Sequence, residues 1–83
     1  MNKLLKLNDL YKSTDFSICS VLVYFDHLLD SIDKTDPSRC IFFIRREKDT
    51  DEIIANFHNG LVLVEPKKFS AIQKEIKGRI YNN

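Results

Sequence analysis

The sequence has few of the residues that mark irregular, secreted or membrane-spanning chains. Its 83 residues include two glycines, two prolines and two cysteines, and tryptophan is absent. With so little glycine and proline and 43 % hydrophobic residues, the composition is that of a folded globule and excludes a disordered segment. A glycine-rich phosphate-binding loop is excluded as well, because Gly60 and Gly78 each stand alone.

Disulfide and membrane signals are also missing. Cys19 and Cys40 are far apart, and each lies in an apolar segment, where a thiol behaves as a small buried hydrophobe. Residues 1–7 begin like a signal peptide, but polar residues from Asn8 onward interrupt it. The apolar run 18–29 is too short and too polar on one side to span a bilayer, which needs roughly 20 apolar residues. We therefore expect reduced cysteines, a cytoplasmic location and no membrane insertion.

Length and net charge set further bounds. A chain of this length holds one domain, which we place at residues 1–83, and folding buries only about 60 % of the surface of the unfolded chain. The formal net charge of +1, with 30 % charged residues, favours neither nucleic acid nor an anionic surface for the chain as a whole. Any argument from charge must therefore be local.

The most apolar stretch, residues 40–44, is clamped by Arg39 on one side and by Arg45 and Arg46 on the other. In an extended chain, Phe42 and Ile44 face one side and Phe43 faces the other, so the pattern predicts a central strand buried on both faces. Residues 30–34 form a polar edge strand in this interpretation. Pro37 in the intervening turn then makes the two strands a hairpin.

Capping and periodicity signals predict three helices. The first begins at Thr14 with a hydroxyl N-cap at Ser13, the second begins at Thr50 and ends at Gly60, and the third begins at Pro66 after an N-cap at Glu65. The first helix carries a predicted polar stripe of Ser17, Ser20, Tyr24, His27 and Ser31.

The predicted fold is a single α+β domain with three helices and a two- to four-stranded, mainly antiparallel sheet, in the order α-β-β-α-β-α. A short buried strand at residues 61–64 pairs with the central strand, and residues 3–11 form a short strand or an arm over the core. The predicted core consists of Leu22, Phe25, Ile41, Phe43, Phe57 and Ile72.

The last helix carries the clearest local charge. Five basic residues against one acidic residue give +4 between Pro66 and the C-terminus. Lys67, Lys74 and Lys77 share a face with Tyr81, the combination of cations and an aromatic ring that single-stranded nucleic acid sites use. The alternative is a solvated face of an amphipathic helix, where lysine near the C-terminus is favoured by the helix dipole.

Arginines at both ends of the central strand are a second candidate group. Their guanidinium groups match phosphate and carboxylate geometry. The alternative is cross-strand ion pairing with the aspartates of the hairpin, and the sequence does not decide between the two. The arginines are Arg39, Arg45 and Arg46, and the aspartates are Asp30, Asp33 and Asp36.

Catalytic and metal-binding patterns are weak. Asp26, His27 and Asp30 come nearest to a metal site, but His27 points away from Asp26 on a helix and no second His or Cys is close in sequence. Cys19 belongs to a buried face, so a cysteine nucleophile is disfavoured. The Glu65-Pro66-Lys67 segment loosely matches a nuclease pattern, but proline there starts a helix where the pattern needs a strand. We expect no catalytic residue, metal or cofactor, and no enzymatic activity.

The order of residues resembles a family of small phage and bacterial domains of unknown function. The resemblance covers most of the chain after Tyr11 and implies a phage-associated or mobile-element protein, without an activity. It rests on the segments Thr14-Asp15-Phe16, Phe42-Phe43, Asp51-Glu52-Ile53, Asn59-Gly60, Val64-Glu65-Pro66 and Ile76-Lys77-Gly78-Arg79-Ile80-Tyr81, together with Phe69.

The functional hypothesis is therefore a small non-enzymatic protein that binds nucleic acid, single-stranded or without sequence preference. Its predicted site residues are Lys67, Lys74, Lys77, Arg79, Tyr81, Arg39, Arg45 and Arg46. The alternative is an adaptor or inhibitor that binds a protein partner through the hairpin edge near Ile32 and the exposed side of the first helix at Tyr24. A homodimer is a further alternative.

Overall fold

The structure, a computed structural model, describes residues 9–82. It contains β1 (Leu10–Ser13), α1 (Phe16–Tyr24), β2 (Leu29–Asp33), β3 (Ile41–Arg45), α2 (Thr50–His58) and α3 (Pro66–Tyr81). The three strands form one antiparallel sheet in the order β1-β3-β2. The predicted α+β class, with three helices and an antiparallel sheet, is confirmed.

The β2–β3 hairpin forms where the sequence predicts it. The Arg39 N–H donates to the Asp36 carbonyl at 2.9 Å, which places Pro37 at the second position of the turn. The Asp36 side chain accepts from the Ser38 N–H at 3.1 Å and from the Ser38 hydroxyl at 2.7 Å. β2 lies at one edge of the sheet, as predicted, and β3 lies in the centre.

The third strand is not the predicted one. β1 pairs along β3 with Tyr11 opposite Ile44 and Ser13 opposite Phe42. Residues 61–64 form no strand, so the element order is β-α-β-β-α-α and the predicted order is wrong. Of the predicted arm at residues 3–11, residues 3–8 lie outside the described part of the chain.

α1 begins two residues later than predicted, because Asp15 is the N-cap. Its carboxylate accepts from the N–H groups of Ser17 and Ile18 at 2.9 and 3.2 Å. The Ser13 hydroxyl, predicted as the cap, instead accepts from the Asp15 N–H at 3.0 Å. The helix ends at Tyr24, and Asp26 adopts a left-handed φ of 68°. The predicted extension of the polar stripe to His27 and Ser31 is therefore wrong.

α1 is the central helix of the fold. Five consecutive residues, Ile18, Cys19, Ser20, Val21 and Leu22, are buried, because α2, α3 and β3 all pack against this helix. Ser20 belongs to the predicted polar stripe yet has no exposed surface, and its hydroxyl donates to the Phe16 carbonyl at 2.8 Å. A small hydroxyl bonded within its own helix can lie in a core without an unsatisfied group.

The core uses the face of β3 opposite to the one predicted. Phe42 and Ile44 are 3 % and 0 % exposed, whereas Ile41 and Phe43 are only partly buried and lie outside the core cluster. Phe25 is 36 % exposed, because it follows the end of α1. Of the other predicted core residues, Leu22 is fully buried, and Phe57 and Ile72 are partly buried against the core.

α2 and α3 begin where predicted. Gly60 follows α2 with a φ of 70°, the left-handed conformation expected after a helix end. Glu65 caps α3 by accepting from the N–H groups of Lys67 and Lys68 at 3.1 and 2.7 Å. α3 runs antiparallel to α1, since Phe69 near its start contacts Tyr24 at the end of α1. The two ends of α3 therefore lie against opposite ends of α1.

Candidate functional site

Three of the predicted site residues lie on the exposed side of α3. Lys67, Lys74 and Tyr81 are spaced seven residues apart, nearly two helical turns, and are exposed on the side opposite the buried Ile76. Tyr81 is 77 % exposed, an unusual exposure for an aromatic ring. This row extends about 21 Å along the helix, at 1.5 Å per residue.

At the C-terminal end of α3 the row meets a cleft of about 460 Å³. The cleft lies between this end of α3, the β2–β3 turn and the start of α1. It brings together Arg39, Lys77 and Tyr81, three predicted site residues from two distant parts of the sequence. No acidic side chain of residues 9–82 lines it. The other residues of the wall are Thr14, Phe16, Pro37, Ser38, Cys40, Phe42 and Ile80.

The cleft has an aromatic floor. The Phe16 and Phe42 rings are tilted by 54° with centroids 6.3 Å apart, and the Lys77 ammonium lies 5.5 Å from the Phe16 centroid. This cation–π contact holds the charge at the cleft while leaving the ammonium hydrogens available to an anion. Phe16 was absent from the predicted site. The sequence signal for this position is the Asp15 N-cap, which makes Phe16 the first residue of α1. In a helix that runs antiparallel to α3, the first residue lies beside the end of α3.

The wall formed by α3 is tied to the sheet. The Lys34 ammonium donates to the Arg79 carbonyl at 3.1 Å and to the Ile80 carbonyl at 3.4 Å. These carbonyls belong to the last turn of α3, which has no intrahelical donors for them. The lysine therefore neutralises the negative end of the helix dipole and fixes the helix end beside the β2–β3 turn.

The charge of Arg39 is partly offset by its neighbour in the turn. Hydrogen bonds from Ser38, with a smaller contribution from the Arg39 charge, lower the pKa of Asp36. Within residues 9–82 no ion pair joins Arg39 to Asp30, Asp33 or Asp36. The cross-strand ion pairing that the sequence leaves open for Arg39 is therefore not formed.

The remaining predicted residues do not reach the cleft. Arg45 lies at the opposite end of β3 from Arg39, about 20 Å away at the rise of an extended chain. Arg46 is paired with Asp51 at 2.9 Å, and its guanidinium stands 5.8 Å from the Tyr11 centroid. Arg79 donates to the Leu29 carbonyl at 2.9 Å. The predicted site of eight residues is therefore divided, and Arg45, Arg46 and Arg79 lie outside the cleft.

A family model for a domain of unknown function, DUF5659, matches residues 8–82. The chain belongs to the DUF5659 family. Membership of a family without an assigned function is what the resemblance implied, while the phage or mobile-element setting stays a prediction. Neither a curated protein nor a solved structure matches the chain.

Cys19 and His27, which the sequence offers as weak catalytic candidates, are buried in this DUF5659 domain. Cys19 is fully buried, and burial, followed by the charge of Asp15, raises the pKa of its thiol to about 12, so almost no thiolate is present near neutral pH. The buried His27 ring contacts the Phe25 carbonyl through Nδ1 at 3.1 Å and the Thr50 hydroxyl through Nε2 at 2.8 Å. Both ring nitrogens are thereby satisfied.

Side chains that could bind a metal are dispersed over residues 9–82. In the part of the chain that the structure describes, no three His, Cys, Asp or Glu side chains lie close enough together to hold a metal ion. The Glu65 carboxylate is engaged by the N-terminus of α3. Between residues 9 and 82 no helix has both the length and the apolarity needed to cross a membrane.

Proposed function

We propose that this DUF5659 domain is a non-enzymatic protein that binds single-stranded nucleic acid without sequence preference. The observation that carries the proposal is that Arg39, Lys77 and Tyr81 meet in one cleft, which has no acidic side chain in its wall within the described part of the chain. Cations that hold phosphates, placed beside an exposed aromatic ring that stacks on a base, are the two elements of such sites.

The chemistry of each side chain determines which part of the nucleic acid it contacts. Arg39 and Lys77 contact phosphates on either side of the cleft, and the Tyr81 ring stacks on an unpaired base. Lys74 and Lys67 continue the track along α3 and contact the following phosphates. A duplex is disfavoured, because its bases are already stacked on each other and offer no face to Tyr81. No cofactor is needed, and the setting we propose is the cytoplasm of a cell that carries phage or mobile-element genes.

A titration of labelled oligonucleotides at two salt concentrations tests the proposal. Affinity should fall with salt with a log-log slope of about −0.7 per contacted phosphate, because each contact releases a counterion. Replacing both Arg39 and Lys77 with glutamine should make the slope shallower by about 1.4, which corresponds to two phosphate contacts.

The matched control removes the same charge outside the cleft. Arg45 and Lys48 are exposed at the other end of β3 and in the loop after it. The variant Arg45→Gln with Lys48→Gln should retain the slope of the parent. If both double variants lost affinity equally, binding would depend on net charge alone and the cleft would not be the site.

The stacking role of Tyr81 has a separate signature. Tyr81→Ala should cost about 1–3 kcal/mol of binding free energy at every salt concentration, whereas Tyr81→Phe, which keeps the ring face, should bind like the parent. Because the side chain is 77 % exposed, neither change should affect folding. Failure of the parent to bind at low salt would remove the proposal and leave a protein partner as the alternative.

A further inference from the structure

Residues 61–64 are tied to the domain by a hydrogen bond at each end, and the main-chain groups in between are not paired within the described chain. The Leu61 N–H donates to the Asn56 carbonyl at 2.8 Å, and the Glu65 N–H donates to the Tyr24 hydroxyl at 2.9 Å. Val62, Leu63 and Val64 make no main-chain hydrogen bond with the rest of the described chain. The segment therefore offers unpaired main-chain donors and acceptors between two ends that are bonded to the domain.

Its side chains alternate as in a strand. Val62 and Val64 are half-buried and line a hollow together with Phe57 and Phe69. Leu61 and Leu63 are 65 % and 87 % exposed. One side of the segment is thus anchored on the domain, while the other presents two leucines to solvent. Exposed leucines beside unpaired main-chain groups are what a strand-adding partner covers.

A notch of about 260 Å³ lies beside the exposed leucines. Asp49 and Glu52 place two carboxylates in its wall. Its apolar part is formed by Phe25, Ile53, Leu61, Val62 and Leu63. Among the described residues, no basic side chain lines it. Lys68 is held 4.6 Å from the Tyr24 ring centroid and does not line the notch either.

We propose that residues 61–64 accept an extended segment of another protein as an added β-strand, and that this segment is basic and apolar in alternation. A lysine or arginine of the partner lays its aliphatic stem over the apolar part of the notch and reaches Asp49 and Glu52 with its charged end. Apolar residues of the partner cover Leu61 and Leu63. The main chain supplies affinity and the notch supplies specificity.

Charge decides against a second copy of this chain as the occupant. Two copies of residues 61–64 paired antiparallel place Glu65 of each copy opposite Gly60 of the other, next to the Leu61 that lines the notch with its two carboxylates. Like charges brought together at an interface disfavour the complex. The surface also lies at the start of α3, whereas the cleft with Lys77 lies near the end of that helix. The two sites therefore bind ligands of opposite charge independently.

Two labelled synthetic peptides test the proposal in fluorescence anisotropy titrations. One alternates lysine with valine, and the other alternates glutamate with valine. The domain should bind the lysine peptide and not the glutamate peptide. Leu63→Ser should weaken binding about tenfold, since it removes one apolar contact of roughly 1.4 kcal/mol. Leu28→Ser is the matched control, because Leu28 is 53 % exposed and does not line the notch, and it should bind like the parent.

Two further measurements separate strand addition from other ways of binding. Glu52→Gln should weaken the lysine peptide severalfold, while the control Glu75→Gln, at an exposed position of α3, should not. Saturating peptide should slow amide hydrogen exchange within residues 62–64. Equal affinity for both peptides, no binding of either, or unchanged exchange in this segment would each overturn the proposal. So would a concentration-dependent dimer that Leu63→Ser abolishes, because the occupant would then be a second copy.

Discussion

Residues 41–44 and 61–64 are both runs of four apolar residues, yet they end in opposite environments. In the first run Phe42 and Ile44 are 3 % and 0 % exposed, and strands pair on both sides. In the second, Leu61 and Leu63 are 65 % and 87 % exposed, and no strand within residues 9–82 pairs with them. Hydrophobicity alone therefore does not decide which run enters a sheet. β1 already occupies the free side of β3, so the later run has no central strand left to join.

Amide hydrogen exchange should show the largest difference between the two runs. Exchange of the hydrogen-bonded amides of β3 requires global unfolding, whereas the amides of residues 62–64 have no hydrogen bond to break with any part of the chain that the structure describes. With a global stability of about 5 kcal/mol, protection factors should differ by roughly a factor of 10³ or more. Mass spectrometry or NMR of the free protein measures both. Comparable protection would mean that residues 61–64 are paired, which would contradict the described fold and remove the docking surface.

Within β3 itself, the two faces should respond differently to truncation. Phe42→Ala removes a buried ring against α1 and should cost about 3–5 kcal/mol of stability, enough to threaten a domain of this size. Phe43→Ala, on the partly exposed face, should cost about 1–2 kcal/mol. Urea denaturation compares the two. The sequence alone predicted Phe43 as the core residue, so a larger loss for Phe43 would favour that interpretation over the observed face.

How much the sequence could predict depends on how local each signal is. The Pro37 turn, the Glu65 cap and the left-handed Gly60 are set by neighbouring residues, and all three are confirmed. The face of β3 is decided by which side the helices cover, and a strand that is apolar on both faces carries no such signal. α1 was predicted too long, because the left-handed Asp26 ends the helical region without glycine or proline.

The same distinction between local signals and tertiary packing applies to the candidate site. The spacing of Lys67, Lys74 and Tyr81 on one helix face follows from helical periodicity and was predictable. The joining of Arg39 to that face depends on how the hairpin packs beside the end of α3. Arg46 has the same charge as Arg39, but its guanidinium forms an ion pair with Asp51. The pattern of basic residues in the sequence does not reveal this pairing. The exposure of Leu61 and Leu63 could not be predicted, because the apolar character of residues 61–64 predicts burial.

The capping residue that follows the second run should have an effect of intermediate size. Glu65→Ala removes the acceptor for the N–H groups of Lys67 and Lys68, so it should destabilise the domain, but less than Phe42→Ala, because no buried surface is lost. These hydrogen bonds lower the pKa of Glu65 below its ordinary value of 4.5. The ionised cap therefore stabilises the fold fully above about pH 4.5, and this contribution is lost as pH falls through the lowered pKa.

Thermal denaturation at several pH values measures this contribution. The difference in unfolding free energy between the parent and Glu65→Ala should be largest near neutral pH and shrink under acidic conditions. Glu75→Gln, at an exposed position of α3 outside the cap, controls for a general acid effect. A difference that stayed constant down to strongly acidic pH would mean that the charge of Glu65 does not contribute to the cap.

The smallest expected effect belongs to the most exposed apolar residue. Leu63 is 87 % exposed, so Leu63→Ser removes almost no buried surface and should change stability by less than about 0.5 kcal/mol. If Leu63→Ser leaves the stability of the domain unchanged, folding does not require an apolar side chain at this position. The exposed leucines are then available for a partner to cover. Urea denaturation of Leu63→Ser beside Leu28→Ser measures this. A loss of several kcal/mol for Leu63→Ser would place its side chain inside the fold, and residues 61–64 would resemble residues 41–44 after all.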